Sequence, residues 1–303
     1  MAGSASEREP IEVLKVPRPG DPRKLVLGEA LFNDPILSGK RQLACSTCHD
    51  LASGGTVHIA RTIGYMGREH RYNAPTVFNV ADNYRLGWRG NFTSLQDQTD
   101  SILMDPNLMA SDWPTLLTKM SRSRFEPVFE AIYGHEPTRE DILDIMATYL
   151  RSLVTPNSRF DRYLSGDKTA LSASEVKGYE VFKTFGCASC HQGSNVGGNL
   201  VQKFGLFNIP PSNPDPNYDG DLGRFTITHR EEDKGVFRVP SLRNVALTAP
   251  YFHDGRAKTL EEAVRTMAEC QVGENIDPSD VTLIVGFLKT LTGEFKGKPL
   301  DAP

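Results

Sequence analysis

The chain has 303 residues, 39% of them apolar and 24% charged, with a formal net charge of -4 at pH 7. That length accommodates one large domain or two of ordinary size, and no run approaches the about 18 consecutive apolar residues of a membrane helix. The mild negative charge leaves no basic footprint for nucleic acid.

In chain order, Met1 to Pro10 has no apolar core and no cleavage site, so it does not read as a secretory leader. Residues 1–23 are expected to form an extension. Leu25-Val-Leu-Gly-Glu-Ala-Leu-Phe32 carries apolar residues at helical spacing and gives way to the turn-rich Asn33-Asp-Pro35. Cys45-Ser-Thr-Cys-His49 follows. Helices are predicted over 115–132, over 138–153 and over 278–292; Thr138 caps the second, which puts Ile142, Ile145, Met146 and Tyr149 on one face. Thr155-Pro-Asn-Ser158 breaks the chain, so 154–171 reads as a link between two domains, 24–160 and 161–303. Ser172-Ala-Ser-Glu175 fits a capping box, in which hydroxyl and carboxylate satisfy free amides at a helix start. The helix it opens runs through Gly178-Tyr-Glu-Val-Phe182 towards Cys187-Ala-Ser-Cys-His191. Residues 192–235, rich in Gly, Pro, Asn and Asp, read as a long wrapping loop with at most short strands.

Each CxxCH motif is thus entered by a helix closing on Phe, a weak internal repeat. In CxxCH, two thiols reach the vinyl groups of one haem while the next residue meets its iron. A zinc or thiol-redox use of the CxxC pairs is the alternative, but His directly after the second Cys in both cases favours haem. The expected fold is mainly α: two cytochrome c-like domains with long irregular loops, each with one covalently bound haem c, His49 and His191 being the proximal ligands. Cys270, the fifth cysteine, reads as a small buried apolar residue. Haem attachment of this kind belongs to oxidising extracytoplasmic compartments of bacteria, so a periplasmic location is expected, with the leader absent from the sequence as given. The sixth ligands decide function: a Met-ligated iron moves electrons at raised potential, whereas an open position can bind peroxide or oxygen.

Further segments extend the pattern. They include Asn73-Ala-Pro-Thr-Val-Phe-Asn79, Phe160-Asp-Arg-Tyr163, Phe237-Arg-Val-Pro-Ser-Leu-Arg-Asn244, Leu247-Thr-Ala-Pro-Tyr-Phe-His253 and Ala263-Val-Arg-Thr-Met267. With Leu27-Gly-Glu-Ala-Leu-Phe32 and the two CxxCH motifs, their order and spacing over residues 24–293 resemble the bacterial di-haem cytochrome c peroxidase and MauG family. The resemblance implies that the C-terminal haem accepts electrons and that Met267 is its sixth ligand, at a position where MauG carries Tyr. Taken alone, Met267 reads as a core methionine. Trp88 matches a tryptophan between the haems, although tryptophan otherwise serves packing. Asn73, Thr248 and Pro250 match the ligands of a calcium ion, the last two through main-chain carbonyls, which suit a hard cation. Otherwise Asn73 caps a turn before Pro75.

Two positions depart from the family. In the loop after the first motif, Thr62-Ile-Gly-Tyr-Met-Gly67 carries Tyr65 where peroxidases place a displaceable His. The sixth ligand of the N-terminal iron is therefore Tyr65, His58, His70 or none. In Asp105-Pro-Asn-Leu-Met109, Leu108 replaces the family's Glu, the acid/base of peroxide cleavage, while the pocket residue Gln98 is retained. Asp100 and Asp105 are candidate substitutes. The resemblance implies an oxidoreductase that reduces hydrogen peroxide with electrons from a small donor protein, a monohaem cytochrome c or a cupredoxin. The electrons pass from the His191 haem by way of Trp88 to the His49 haem. The alternatives are a MauG-like oxidase that modifies a partner protein and a non-catalytic di-haem electron-transfer or sensor protein. No nucleic acid or membrane span is expected, and a homodimer is a tendency of related peroxidases.

Overall fold

The computed structural model describes residues 9–300 except 212 and 214. The reading of residues 1–8 as free of a leader lies outside them. The first half contains α1 (Pro22–Asn33), α2 (Leu95–Met104), α3 (Trp113–Ser121), α4 (Glu126–Tyr133) and α5 (Arg139–Ser152). The second contains α6 (Arg159–Leu164), α7 (Ala173–Thr184), α8 (Phe225–Thr228), α9 (Leu260–Thr266) and α10 (Pro278–Lys289). Among the described residues, strand is confined to two short antiparallel pairs. β1 (Val201–Lys203) pairs with β2 (Val236–Arg238), Val201 opposite Arg238, and β3 (Glu294–Phe295) pairs with β4 (Lys298–Pro299). No helix among the described residues is long and apolar enough to cross a membrane.

Each half is organised on one close helix crossing. In the first, α1 lies on α5; a methyl group on Gly28 would stand 2.5 Å from Tyr149 Cβ, so only glycine permits the approach. In the second, α7 lies on α10, and a methyl on Gly178 would strike the Leu283 carbonyl and stand 3.1 Å from Phe287 Cβ. Both glycines precede a buried Phe by four positions, Phe32 and Phe182. Around the first crossing the core gathers Leu31, Phe32, Leu116, Phe129, Ile142 and Ile145. Around the second, the rings of Phe160, Tyr179 and Phe182 surround Phe287 with centroids 5.0–5.2 Å away.

Helix ends follow local chemistry. Ser172 and Glu175 form the expected capping box, and Thr138 forms another with Asp141, starting a helix whose Ile142, Ile145, Met146 and Tyr149 are all buried. The helix predicted over 115–132 is two helices. The Ser123 hydroxyl donates to Met120 O at 2.7 Å and accepts from Phe125 N at 3.1 Å. Pro127 then lacks the N–H that would continue the turn from Ser123, so the chain restarts as α4. The segment 154–171 is more than a connector, because α6 buries Phe160 completely and Asp161 pairs with the buried Arg243 at 2.7 Å. Sequence periodicity did not point to α2 or α9.

The chain ends cross over. Ile11 joins the second core and bridges to Gly193, while Phe295 packs on Phe78 of the first half, centroids 4.9 Å apart. Two packed units are thereby strapped together at both ends.

Candidate functional site

Both CxxCH segments fold as one tight 3-10 turn, Cys45–Thr47 and Cys187–Ser189. The local bonds repeat: His49 N donates to Cys45 O at 2.9 Å, and His191 N to Cys187 O at 3.0 Å. Each imidazole then meets a main-chain carbonyl through Nδ1, His49 with Gly55 O at 3.3 Å and His191 with Val196 O at 3.4 Å. A carbonyl only accepts, so Nδ1 carries the proton and Nε2 keeps its lone pair for a metal, the tautomer a ligating histidine needs. Burial lowers the pKa of His49, and it brings His191 down to about 4 against the carbonyls of Val196 and Pro240. Both rings are therefore neutral at pH 7.

The four cysteines are free. Burial pushes the thiols up, Cys45 to about 12 and Cys187 to about 11. Such thiols are poor thiolates, unlike redox-active cysteines. Among the described residues no cluster of metal-ligating side chains includes a cysteine; the group that does form is Asp221, His253 and Asp254. These observations suit thioether attachment better than zinc or dithiol chemistry.

In the second half, a cavity of about 490 Å³ is lined by Cys187, Cys190, His191 and Met267, with Trp88 and Asn73 from the first half on its wall. Its remaining lining is largely apolar, including Phe182, Leu260 and Leu288. An apolar slot with two thiols and a neutral imidazole fits a c-type haem. Met267 opens a π-helical segment, Met267–Val272, in which Gly273 N reaches back five residues to Ala268 O at 2.9 Å. Such irregular turns often accompany functional sites. The same segment holds the loop at the cavity mouth, since Gln271 Oε1 accepts from Gly205 N at 3.0 Å and Cys270 O from Phe207 N at 3.0 Å. Cys270 itself is buried.

Asn73, Thr248 and Pro250 line that same cavity. Asn73 is buried, and its Nδ2 donates to Ile59 O at 2.9 Å, which leaves Oδ1 available as a donor atom for a cation. Trp88 Nε1 donates to Asn73 O at 2.9 Å, so the tryptophan and the asparagine are one unit.

In the first half, His49 is half-buried and a cavity of about 480 Å³ opens beside Thr47, Cys48, Gly64 and Met66. Tyr65 and Leu108, the two departures, are neighbours: Tyr65 N donates to Leu108 O at 2.9 Å. Gly64 lies directly on the Asn107 carbonyl, leaving no room for a side chain. Tyr65 is 8% exposed, its ring tip beside Gly39. Gln98 sits half-buried on α2. Of the other histidines, His58 uses both nitrogens, with Ser53 Oγ at 2.7 Å and Ala249 O at 2.7 Å. His70 accepts from Tyr72 N through Nδ1 at 3.3 Å, which leaves Nε2. Asp100 is committed to Trp113 Nε1 at 2.8 Å and to Arg139 at 2.5 Å. Asp105 accepts from Asn107 N at 2.7 Å and exerts its charge on His70.

The structure thus gathers Trp88, Asn73, His191, Thr248, Pro250 and Met267 at one cavity and keeps Tyr65, Gln98 and Leu108 away from it. Sequence reasoning missed a set at the same wall: His253, Asp221 and Arg256. It also missed that Pro75 and Pro240 bear equivalently on His49 and His191. The signal was present, because Pro75-Thr-Val-Phe-Asn79 and Pro240-Ser-Leu-Arg-Asn244 repeat one pattern.

Comparison with known proteins gives consistent matches. The family model for di-haem cytochrome c peroxidase matches residues 22–169. The chain is 40% identical to the cytochrome c551 peroxidase of Nitrosomonas europaea over 97% of its own length and 87% of that protein's. It is 38% identical to the cytochrome c551 peroxidase of Pseudomonas aeruginosa, covering 88% and 78%. Among solved structures, a MauG-like protein associated with microbial copper homeostasis superposes with a TM-score of 0.80 at 25% identity, covering 97% of this chain and 96% of that one.

Proposed function

Because the chain belongs to the di-haem cytochrome c peroxidase family, we propose that it reduces hydrogen peroxide to water with electrons drawn singly from a small redox protein. Two electrons and two protons convert one peroxide to two waters. The observation that carries the reading is the second cavity, where a neutral His191 and Met267 share one apolar slot whose wall includes Trp88. A haem c bound in each half supplies the one-electron redox change and the site of peroxide reduction. His49 and His191 offer Nε2 as proximal ligands, and their Nδ1–carbonyl bonds fix the rings. Met267 would bind the iron held in the second half and raise its potential.

Trp88 spans the two halves and carries the route between them. Asn73 Oδ1 with the carbonyls of Thr248 and Pro250 holds a calcium ion beside it. Gln98 and Tyr65 line the peroxide side of the first half. Leu108 excludes water there and moves no proton, so proton delivery falls to Asp105, whose bond to Asn107 N engages Oδ1, and His70, which keeps Nε2. In this reading the two domains are residues 24–160 and 161–303, with Phe160 exchanged into the second core and Phe295 onto the first, and the protein works in the periplasm as a homodimer.

Leu108 favours a second reading, a MauG-like oxidase, since loss of the acid slows peroxide turnover more than slow oxidation of a partner. The deciding experiment mixes the half-reduced holoprotein with peroxide and a reduced monohaem cytochrome. Rapid oxidation of the cytochrome supports the peroxidase; rapid reaction with peroxide but no cytochrome oxidation supports the oxidase. No reaction with peroxide in any redox state sinks both.

A further inference from the structure

Behind Trp88 lies an imidazole that the proposed reaction leaves without a role. His253 is 2% exposed. Its ring stacks on Phe237, centroids 4.2 Å apart and planes 19° apart, and meets Trp88 edge-on at 6.3 Å and 72°. On another side Tyr72 meets it edge-on at 6.1 Å. His253 Nε2 lies 2.8 Å from Asp221 Oδ1; an ionised carboxylate only accepts, so Nε2 donates. Burial raises the Asp221 carboxyl, but the His253 bond, the Asn213 amide and Arg256 outweigh it and hold the group at about 2. Arg256 also binds Asp254 through Nε at 2.8 Å, so Asp221 is fixed on both sides.

From His253 the bonding continues through the main chain. Its carbonyl accepts from Asn73 N at 2.7 Å, and the Asn73 carbonyl accepts from Trp88 Nε1 at 2.9 Å. One line of contacts therefore runs Arg256, Asp221, His253, Asn73, Trp88, crossing from the second half to the first. His253 thus reaches the indole in two ways, by direct ring contact and, through Asn73, at the indole N–H.

We propose that His253, locked by Asp221, is a positioning residue that sets the orientation of Trp88 and the station of Asn73, so that electron passage between the halves depends on the Asp221–His253 bond. The inference rests on the reading of Trp88 as the inter-haem route. The electron comes from the donor and is consumed by peroxide; His253 and Asp221 neither gain nor lose an electron or a proton. A ring free to tilt would leave Trp88 misplaced by a fraction of an ångström or more, and displacements of that order carry large rate penalties.

The test uses the holoprotein with both haems, reduced by one equivalent and followed by stopped-flow spectroscopy of electron equilibration between the two centres. Asp221→Ala should slow equilibration on the order of tenfold, with unchanged haem content and an unchanged ferric spectrum of the His191 centre. Asp221→Asn, which keeps an acceptor for Nε2–H, should restore most of the rate. His253→Phe keeps a buried ring but loses the bond, and should be slow as well. Wild-type rates in Asp221→Ala and His253→Phe beside a slow Trp88→Phe would overturn the positioning role alone. Wild-type rates in all three would overturn the Trp88 reading with it. An Asp221→Asn variant as slow as Asp221→Ala would also overturn the inference, because the acceptor would then not be what matters.

Discussion

Asn79 and Asn244, one from each half, donate their side-chain amides to the same hydroxyl, Thr155 Oγ1, at 2.8 and 2.9 Å. Both asparagines adopt the left-handed conformation, with φ of 56° and 60°, which asparagine tolerates better than most residues. Each Oδ1 then accepts a main-chain amide, from Thr155 at 2.8 Å and from Gly293 at 3.0 Å. Four residues upstream of each stands the proline whose carbonyl bears on the histidine of a CxxCH motif. Thr155 therefore ties the two repeated segments, and with them the two CxxCH regions, to one hydroxyl.

Replacing Thr155 by Val removes the shared acceptor and leaves two buried amides unsatisfied. At roughly 1–3 kcal/mol for each such group, the unfolding free energy should fall by about 2–6 kcal/mol. Thr155→Ser should stay near wild type. Urea denaturation of the holoprotein measures both, and an unchanged midpoint in Thr155→Val would mean that other groups take up the amides.

Leu108→Glu restores a carboxyl beside the first pocket without touching the Leu108 carbonyl that holds Tyr65. General acid–base groups contribute about 10²–10⁴-fold in rate, so the peroxide reaction should quicken by at least about tenfold. The second-order rate constant of the half-reduced protein with peroxide is the measurement. No gain would place the proton source elsewhere, with Asp105→Asn and His70→Gln as the next variants.

Met267→Ala removes the proposed soft iron ligand from the second cavity. Axial ligands command a span of about 0.8 V in haem potentials, and loss of this one should lower the potential of the His191 centre by about 0.1 V or more. A spectroelectrochemical titration decides; a potential unmoved by the substitution would exclude Met267 as ligand.

Asn73→Leu keeps the bulk but deletes the proposed calcium donor Oδ1. Calcium affinity by titration calorimetry should weaken by one order of magnitude or more, and chelation of wild type should slow inter-haem transfer to the variant's rate. Equal affinity in both proteins would leave Asn73 as a turn residue only.

Acid stability should carry the mark of Asp221. Its carboxyl sits at about 2 in the folded chain against an ordinary 3.8. Between those values the unfolded chain binds the extra proton, so the stabilisation is complete above about pH 4 and is lost as pH falls through about 2. Thermal melts across that window should show a shallower decline in Asp221→Asn than in wild type, and parallel curves would refute it.

Much of this protein is decided within short stretches of chain. CxxCH brings two thiols and an imidazole together over five residues, so the layout that haem attachment needs is local, and both turns fold alike. The caps Thr138 and Ser172 are equally local, since each bonds a residue three positions on. Pro127 was legible too, although periodicity alone ran a helix through it. The rest depends on contacts between residues far apart in sequence. That Tyr65 rests on Leu108, that His253 stands behind Trp88, and that two asparagines share Thr155 are outcomes of packing. Apolar spacing says that a face is buried but not against what. The long 192–235 segment had no period to read, yet it supplies Asp221. Only the folded chain, closing each half on a glycine crossing and strapping the termini across, decides which polar groups meet at the wall between the halves.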